Sequence, residues 1–155
     1  MPNVKSSLYG ELEVNEDSLI AFPLGLPGFE EYKKFALVAF PDATWLFVLQ
    51  AVDNEHICFN VADPEIFFPD YAPDLAPTDL ELLETSGDDE LYAYVMLTIP
   101  KDFQQTTANL LSPIIINPRL KRAVQIVPAR SKYTTRHLIF GSVNAPAKKA
   151  VGAGE

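Results

Sequence analysis

Lysine and arginine are missing from the whole stretch between Phe35 and Pro100, which nonetheless carries thirteen acidic residues. Beyond Pro100 the balance reverses, with nine cations against two acids. The formal charge is −3 over residues 1–34, −13 over 35–100 and +7 over 101–155, against −9 for the whole chain. Charges on one small domain sit within about one Debye length (~8 Å at physiological salt) of each other, so the middle of the chain is wrapped in negative potential. Such a field attracts cationic partners and repels nucleic acid and anionic lipid. The plain alternative is a solvated face that only keeps the protein soluble.

Cysteine and histidine are scarce as well. Cys58 is alone, which excludes an intramolecular disulfide, and its run Ile57-Cys58-Phe59 reads as a small buried hydrophobe. His56 and His137 stand 81 positions apart, so with one cysteine no zinc set forms. There is no Gly-x-Ser-x-Gly elbow for a nucleophile. Gly25-Leu26-Pro27-Gly28 lacks the glycine pattern and the lysine of a phosphate loop. The longest apolar run, Leu91 to Ile99, has nine residues including Thr98, well short of the ~20 of a membrane span. No apolar stretch follows Met1-Pro2-Asn3-Val4-Lys5, so no secretory signal is read there. The expectation is a cytoplasmic domain that engages neither membrane nor nucleic acid directly, with no cofactor.

Long helices are also excluded, because thirteen prolines and seven glycines fall at short intervals. Short strands and turns tolerate that spacing. Strands are expected over residues 11–14, 18–22, 35–40, 45–50, 57–62, 91–99, 114–116, 123–127 and 137–140, with a helical turn over 29–34. Pro41-Asp42 and Asp53-Asn54-Glu55 read as turns. Leu91 to Ile99 reads as a central strand covered on both faces. The best helix spans Leu75 to Thr85, with Thr78 as N-cap, Glu81 at capping-box spacing, and Ser86-Gly87-Asp88-Asp89 ending it. The fold class is all-β and mostly antiparallel: a small β-barrel-like domain of seven to nine short strands with one or two short helices. It occupies residues 1–140, and residues 141–155 read as a flexible tail.

Carboxylates are the abundant reactive groups. Asp63-Pro64-Glu65 and Asp88-Asp89-Glu90 offer oxygen ligands for Ca²⁺ or Mg²⁺, although neither has the spacing of an EF-hand loop. A carboxylate-based enzyme or Ca²⁺-binding barrel acting on carbohydrate is therefore the alternative reading. A richer segment runs from Asp63 to Tyr71, where Phe67, Phe68 and Tyr71 mix with Asp63, Glu65 and Asp70. Pro64 and Pro69 limit it to an edge strand or extended loop. It reads as a docking surface with aromatic anchors and an acidic rim, or as core plugs followed by a turn. Asn109 to Asn117, with Ile114 at its centre, reads as a core strand or as an exposed edge that pairs with a partner.

These residues add up to a resemblance. Phe22-Pro23-Leu24-Gly25-Leu26-Pro27-Gly28-Phe29-Glu30 resembles the opening signature of the FliW family of flagellar assembly factors. Leu49-Gln50, then Asp63-Pro64 and Pro69-Asp70-Tyr71, are similar to its second block. Asn109-Leu110, Ser112-Pro113-Ile114, Ile116-Asn117 and Gln125 are similar to its third. Ser112 and Ala51 depart from the Ala and Ser usual in that family. The resemblance implies a barrel-like protein that is not an enzyme and binds flagellin in the cytoplasm before export. It also implies binding to CsrA, a small RNA-binding dimer that represses flagellin translation. Flagellin export would free the factor to sequester the repressor.

Overall fold

The structure, a computed structural model, describes residues 3–40, 43–85, 89–128 and 131–140. Pro41-Asp42 and the tail expected over 141–155 lie outside the described residues. Among the described residues there are eleven strands: β1 (Asn3–Ser6), β2 (Gly10–Glu13), β3 (Leu19–Ala21), β4 (Lys34–Ala39), β5 (Leu46–Ala51), β6 (Cys58–Ala62), β7 (Tyr92–Thr98), β8 (Thr107–Ala108), β9 (Ile114–Asn117), β10 (Arg122–Gln125) and β11 (His137–Leu138). An α-helix, α1, spans Pro77–Leu82.

Seven of these strands close a ring. The order β7-β6-β5-β4-β3-β10-β9 returns to β7 through a β7–β9 pairing. All ladders in the ring are antiparallel except β3–β10, which meets in parallel at Arg122 and Ala21 alone. The ring lumen is filled by residues from every strand, among them Ile20, Phe35, Leu49, Val61, Tyr94, Ile116 and Ala123. Strand alternation then sends the intervening residues outward. Ile115 and Val124 face out beneath α1 with Leu83. Ala36 and Val38 face out beneath the β1–β2 hairpin with Val4 and Val14. Burial of Phe22 and Phe35, both without exposed surface and 5.1 Å apart edge to face, anchors the lumen.

Phe22 and Leu26 enter that lumen because two tight turns follow each other. The Gly25 N–H donates to the Phe22 carbonyl at 2.8 Å and the Phe29 N–H to the Leu26 carbonyl at 2.7 Å. Gly25 has φ +68°, and a Cβ there would lie 2.6 Å from the Glu30 Cα. Gly28 also has positive φ, but a Cβ there meets nothing within 4 Å. Gly25→Ala is expected to cost about 2–4 kcal/mol, from left-handed strain plus the clash. Gly28→Ala costs about 1–2 kcal/mol from strain alone. Urea unfolding of the two variants checks the difference.

Several expectations are corrected. Residues 29–34 hold a bridge residue at Phe29, a turn at Glu30-Glu31 and the start of β4 at Lys34, not a helical turn. The segment after β6 forms a short 3₁₀ turn over Pro64–Ile66, not an extended loop or edge strand. Proline at the first helical position suits such a turn, and the Asp63 carboxylate caps it by accepting the Glu65 N–H at 3.0 Å. The α-helix starts after Ala76, not Thr78. The Asp79 carboxylate accepts the Ala76 N–H at 2.9 Å, half a capping box, since alanine has no side-chain acceptor to return. It ends before Ser86: Glu84 takes φ +55° and the Thr85 N–H reaches back to the Leu80 carbonyl at 3.1 Å, a Schellman closure on a residue other than glycine. β7 is not covered on both faces, since Tyr92 is 46% exposed. Cys58 is only half-buried. The strands β1 and β8 escaped the sequence pattern altogether.

Candidate docking surface

Between Ala62 of β6 and Tyr92 of β7 the chain leaves the ring and crosses its outside as a strap that includes α1. Among the contacts that pin this strap to the barrel are two ion pairs and a side-chain amide bond. The Arg119 guanidinium meets Asp89 at 2.8 Å, Arg122 meets Glu84 at 3.6 Å, and the Asn117 amide donates to the Leu83 carbonyl at 3.1 Å. Lys121 pairs elsewhere, with Asp17 at 3.2 Å. Among the described residues no cation pairs with Asp63, Glu65, Asp70, Asp74, Asp79, Glu81 or Glu90. The negative field read from the sequence is therefore largely uncompensated along the strap.

A groove of about 430 Å³ opens between the strap and the first half of β7. Asp63, Pro64 and Glu65 form one wall, Tyr71, Pro73 and Leu75 another, and Leu91, Tyr92, Ala93 and Tyr94 with Ile115 the rest. None of these residues is cationic. The Tyr92 hydroxyl donates to the Glu90 carboxylate at 2.7 Å. That bond to a carboxylate pushes the Tyr92 phenol above its usual range. Burial, and then the Asp63 charge, does the same to Tyr94, whose ring stands edge-on to Phe47 at 5.3 Å.

Of the residues proposed from sequence, Asp63, Glu65 and Tyr71 come together at this groove. Asp70 is exposed on the same strap. Phe67 and Phe68 are not outward anchors. Phe67 stands edge-on to Trp45 at 5.4 Å and to Phe140 at 6.1 Å, and Phe68 packs against His137 at 5.9 Å. Tyr71 is 8% exposed and its hydroxyl donates to the Leu110 carbonyl at 2.7 Å. Apolar burial outweighs display for these three rings, and they hold the strap down instead. The exposed aromatic at the groove is Tyr92, which the sequence reading missed; its signal was the Tyr92-Ala93-Tyr94 alternation beside Glu90.

The third block is inside the fold. β9 is paired on both sides, so the exposed-edge reading of Asn109 to Asn117 is overturned. Ile114 is buried in the lumen. Asn117 has no exposed surface; its side-chain Oδ1 accepts the Arg119 N–H at 3.1 Å while its Nδ2 also donates to Asp89 at 3.3 Å. Asn109 is half-buried, accepts the Ser112 N–H at 3.0 Å, and lines a second groove of about 300 Å³ with Leu26, Phe29, Gln125 and Val127. The opening and third sequence blocks thus meet in space at that second groove, beside a Val127 that is 71% exposed.

Asp89 is held down to about 2 by hydrogen bonds from Arg119 first and then Thr85 and Asn117. Its folded pKa lies below the ordinary 3.8, so its stabilising effect is present above pH 3.8 and is lost as the pH falls towards 2. Asp89→Asn is expected to lower the melting temperature at pH 6, with the deficit shrinking by pH 2. Melting curves of both chains across that range check it.

Among the described residues no three His, Cys, Asp or Glu side chains are placed to hold a metal ion, so nothing described carries the calcium-barrel alternative. Among the described residues no helix is long and apolar enough to cross a membrane.

The geometry defines a class: a small closed β-barrel with an acidic strap and external grooves. The family model described as FliW protein matches residues 3–139. A flagellar assembly factor FliW of Syntrophomonas wolfei is 41% identical over 152 residues, covering 98% of this chain and 97% of that one. That of Bacillus licheniformis is 39% identical over 138 residues, covering 89% and 96%. A crystal structure of the flagellar assembly factor FliW superposes with a TM-score of 0.80 at 33% identity, covering 90% of this chain and 97% of that one. The chain belongs to the FliW family.

Proposed function

We propose that this chain is a flagellar assembly factor that binds flagellin in the cytoplasm and antagonises a CsrA-type translational repressor by protein–protein binding. The observation that carries this reading is the strap whose described carboxylates, Glu84 and Asp89 apart, make no ion pair, beside a groove lined by both acidic and apolar residues. A repressor that binds mRNA needs a basic face for the phosphates. An acidic partner lying on or beside that face repels RNA as well as attracting the repressor. Asp63, Glu65 and Asp70 supply the charge, and Phe67, Phe68 and Tyr71 fix the strap that presents it. The second groove, with its apolar floor of Leu26, Phe29 and Met96, suits an amphipathic segment of flagellin. On this reading flagellin occupies the factor until export removes it, and the freed factor then takes up the repressor. Asn109 belongs to the flagellin side; Ile114 and Asn117, being buried, act through the fold.

The test is exchange. The purified chain is mixed with a CsrA-type protein, the complex is isolated by size exclusion, and flagellin is added. Release of the repressor into a separate peak supports coupling through one factor. Failure of the chain to co-elute with either protein retires the proposal.

A further inference from the structure

β6 and β7 part early. Their register runs Val61 to Met96 and Ala62 to Val95 and then stops, because Pro64 has no N–H to donate and turns the chain away. On the other side β7 remains paired with β9 through Tyr92, Ala93 and Tyr94. The Asn109 N–H donates to the Met96 carbonyl at 2.9 Å, which places the backbone polar groups of Met96 on the β8–β9 side. Successive residues of an antiparallel strand aim these groups to opposite sides. Val95 and Ala93 therefore aim theirs toward β6. Val95 meets Ala62 there; Ala93 faces the 430 Å³ groove, and no described backbone bond links it to the strap.

We propose that this uncovered edge of β7 accepts an extended, basic segment of a protein partner as an added strand, in line with β6. The proposal rests on the reading of the acidic strap as a docking surface, and it assigns the chemistry of what docks. A bare strand edge specifies backbone pairing with an extended chain. Three residues of added strand span about 10 Å at ~3.3 Å each, a short insertion suited to one groove. The charge is one-sided: Asp63 and Glu65 line the groove, Glu90 reaches it through the Tyr92 hydroxyl, and no lining residue is cationic. Arginine or lysine at alternate positions of the added strand meets those carboxylates, while an acidic segment is repelled.

The probe is a capped five-residue peptide alternating arginine and valine, titrated into the full chain and followed by amide NMR and hydrogen exchange. The expected result is slowed exchange of the Ala93 amide with peptide contacts to Leu91 and Ala93. N-methylation of the central peptide amides, or glutamate in place of arginine, is expected to weaken binding about tenfold or more. Ala93→Pro removes the groove-facing donor while leaving the β9 ladder, and should have the same effect. The methylated peptide keeps the test valid if that variant fails to fold. Unchanged Ala93 exchange, or equal binding of the methylated or acidic peptides, overturns the proposal. Peptide-independent dimerisation blocked by Ala93→Pro also overturns it, by giving the edge to a second copy. Peptide binding without capture of a CsrA-type protein or flagellin would retire the functional reading and leave the groove assignment standing.

Discussion

If the proposed function holds, a chain carrying Glu65→Lys together with Asp70→Lys is expected to bind a CsrA-type repressor about 100-fold more weakly than the natural chain, because each change would turn attraction into like-charge contact worth several kcal/mol in sum. Both side chains are exposed, and neither makes a described side-chain hydrogen bond or ion pair. The strap they ride on is held by other groups: the Asp63 cap, the Phe67 stack on Trp45, the Tyr71 hydroxyl and the Asp89–Arg119 pair. The circular dichroism spectrum is therefore expected to stay unchanged. Calorimetric titration reads the affinity; undiminished binding would remove the acidic strap from the interface.

Asn117→Ala is expected to act in the opposite manner, costing about 3 kcal/mol of stability while leaving any measurable affinity of the folded fraction alone. The side chain joins the end of β9 to the Leu83 carbonyl, to Asp89 and to the Arg119 N–H. Alanine leaves the buried Leu83 carbonyl without this donor, at about 1–3 kcal/mol, and removes the acceptor of the part-buried Arg119 N–H, while Asp89 keeps its bonds from Arg119. Urea unfolding checks the cost. A stable Asn117→Ala chain with lost binding would make this residue a contact after all.

The same contrast shows how much could be read from the chain. The strands expected over 35–40 and 45–50 were legible as short apolar runs on either side of a Pro-Asp turn signal, and they correspond to Lys34–Ala39 and Leu46–Ala51. Ile114-Ile115-Ile116 was legible as a strand, but its setting was not: apolar residues on both faces can mean a covered strand or a sticky edge, and only the pairing with both β7 and β10 decides. Charge segregation pointed to the strap, since ten of the thirteen acids fall in the sequence between β6 and β7. The roles of Phe67 and Phe68 were not legible, because sequence reports that a ring is hydrophobic and not which way a 3₁₀ turn aims it. Two-residue strands such as β8 carry no periodicity at all. The groove itself depends on where β6 abandons β7, a long-range event marked locally only by Pro64.

The central claim is that uncompensated carboxylates on this barrel draw in a basic protein. Stopped-flow association of the full chain with a CsrA-type protein, measured from low to high salt, tests it most directly. The account predicts an association rate that falls steeply as the Debye length shrinks from about 30 Å at 0.01 M to about 8 Å at 0.15 M. A rate indifferent to salt would contradict it.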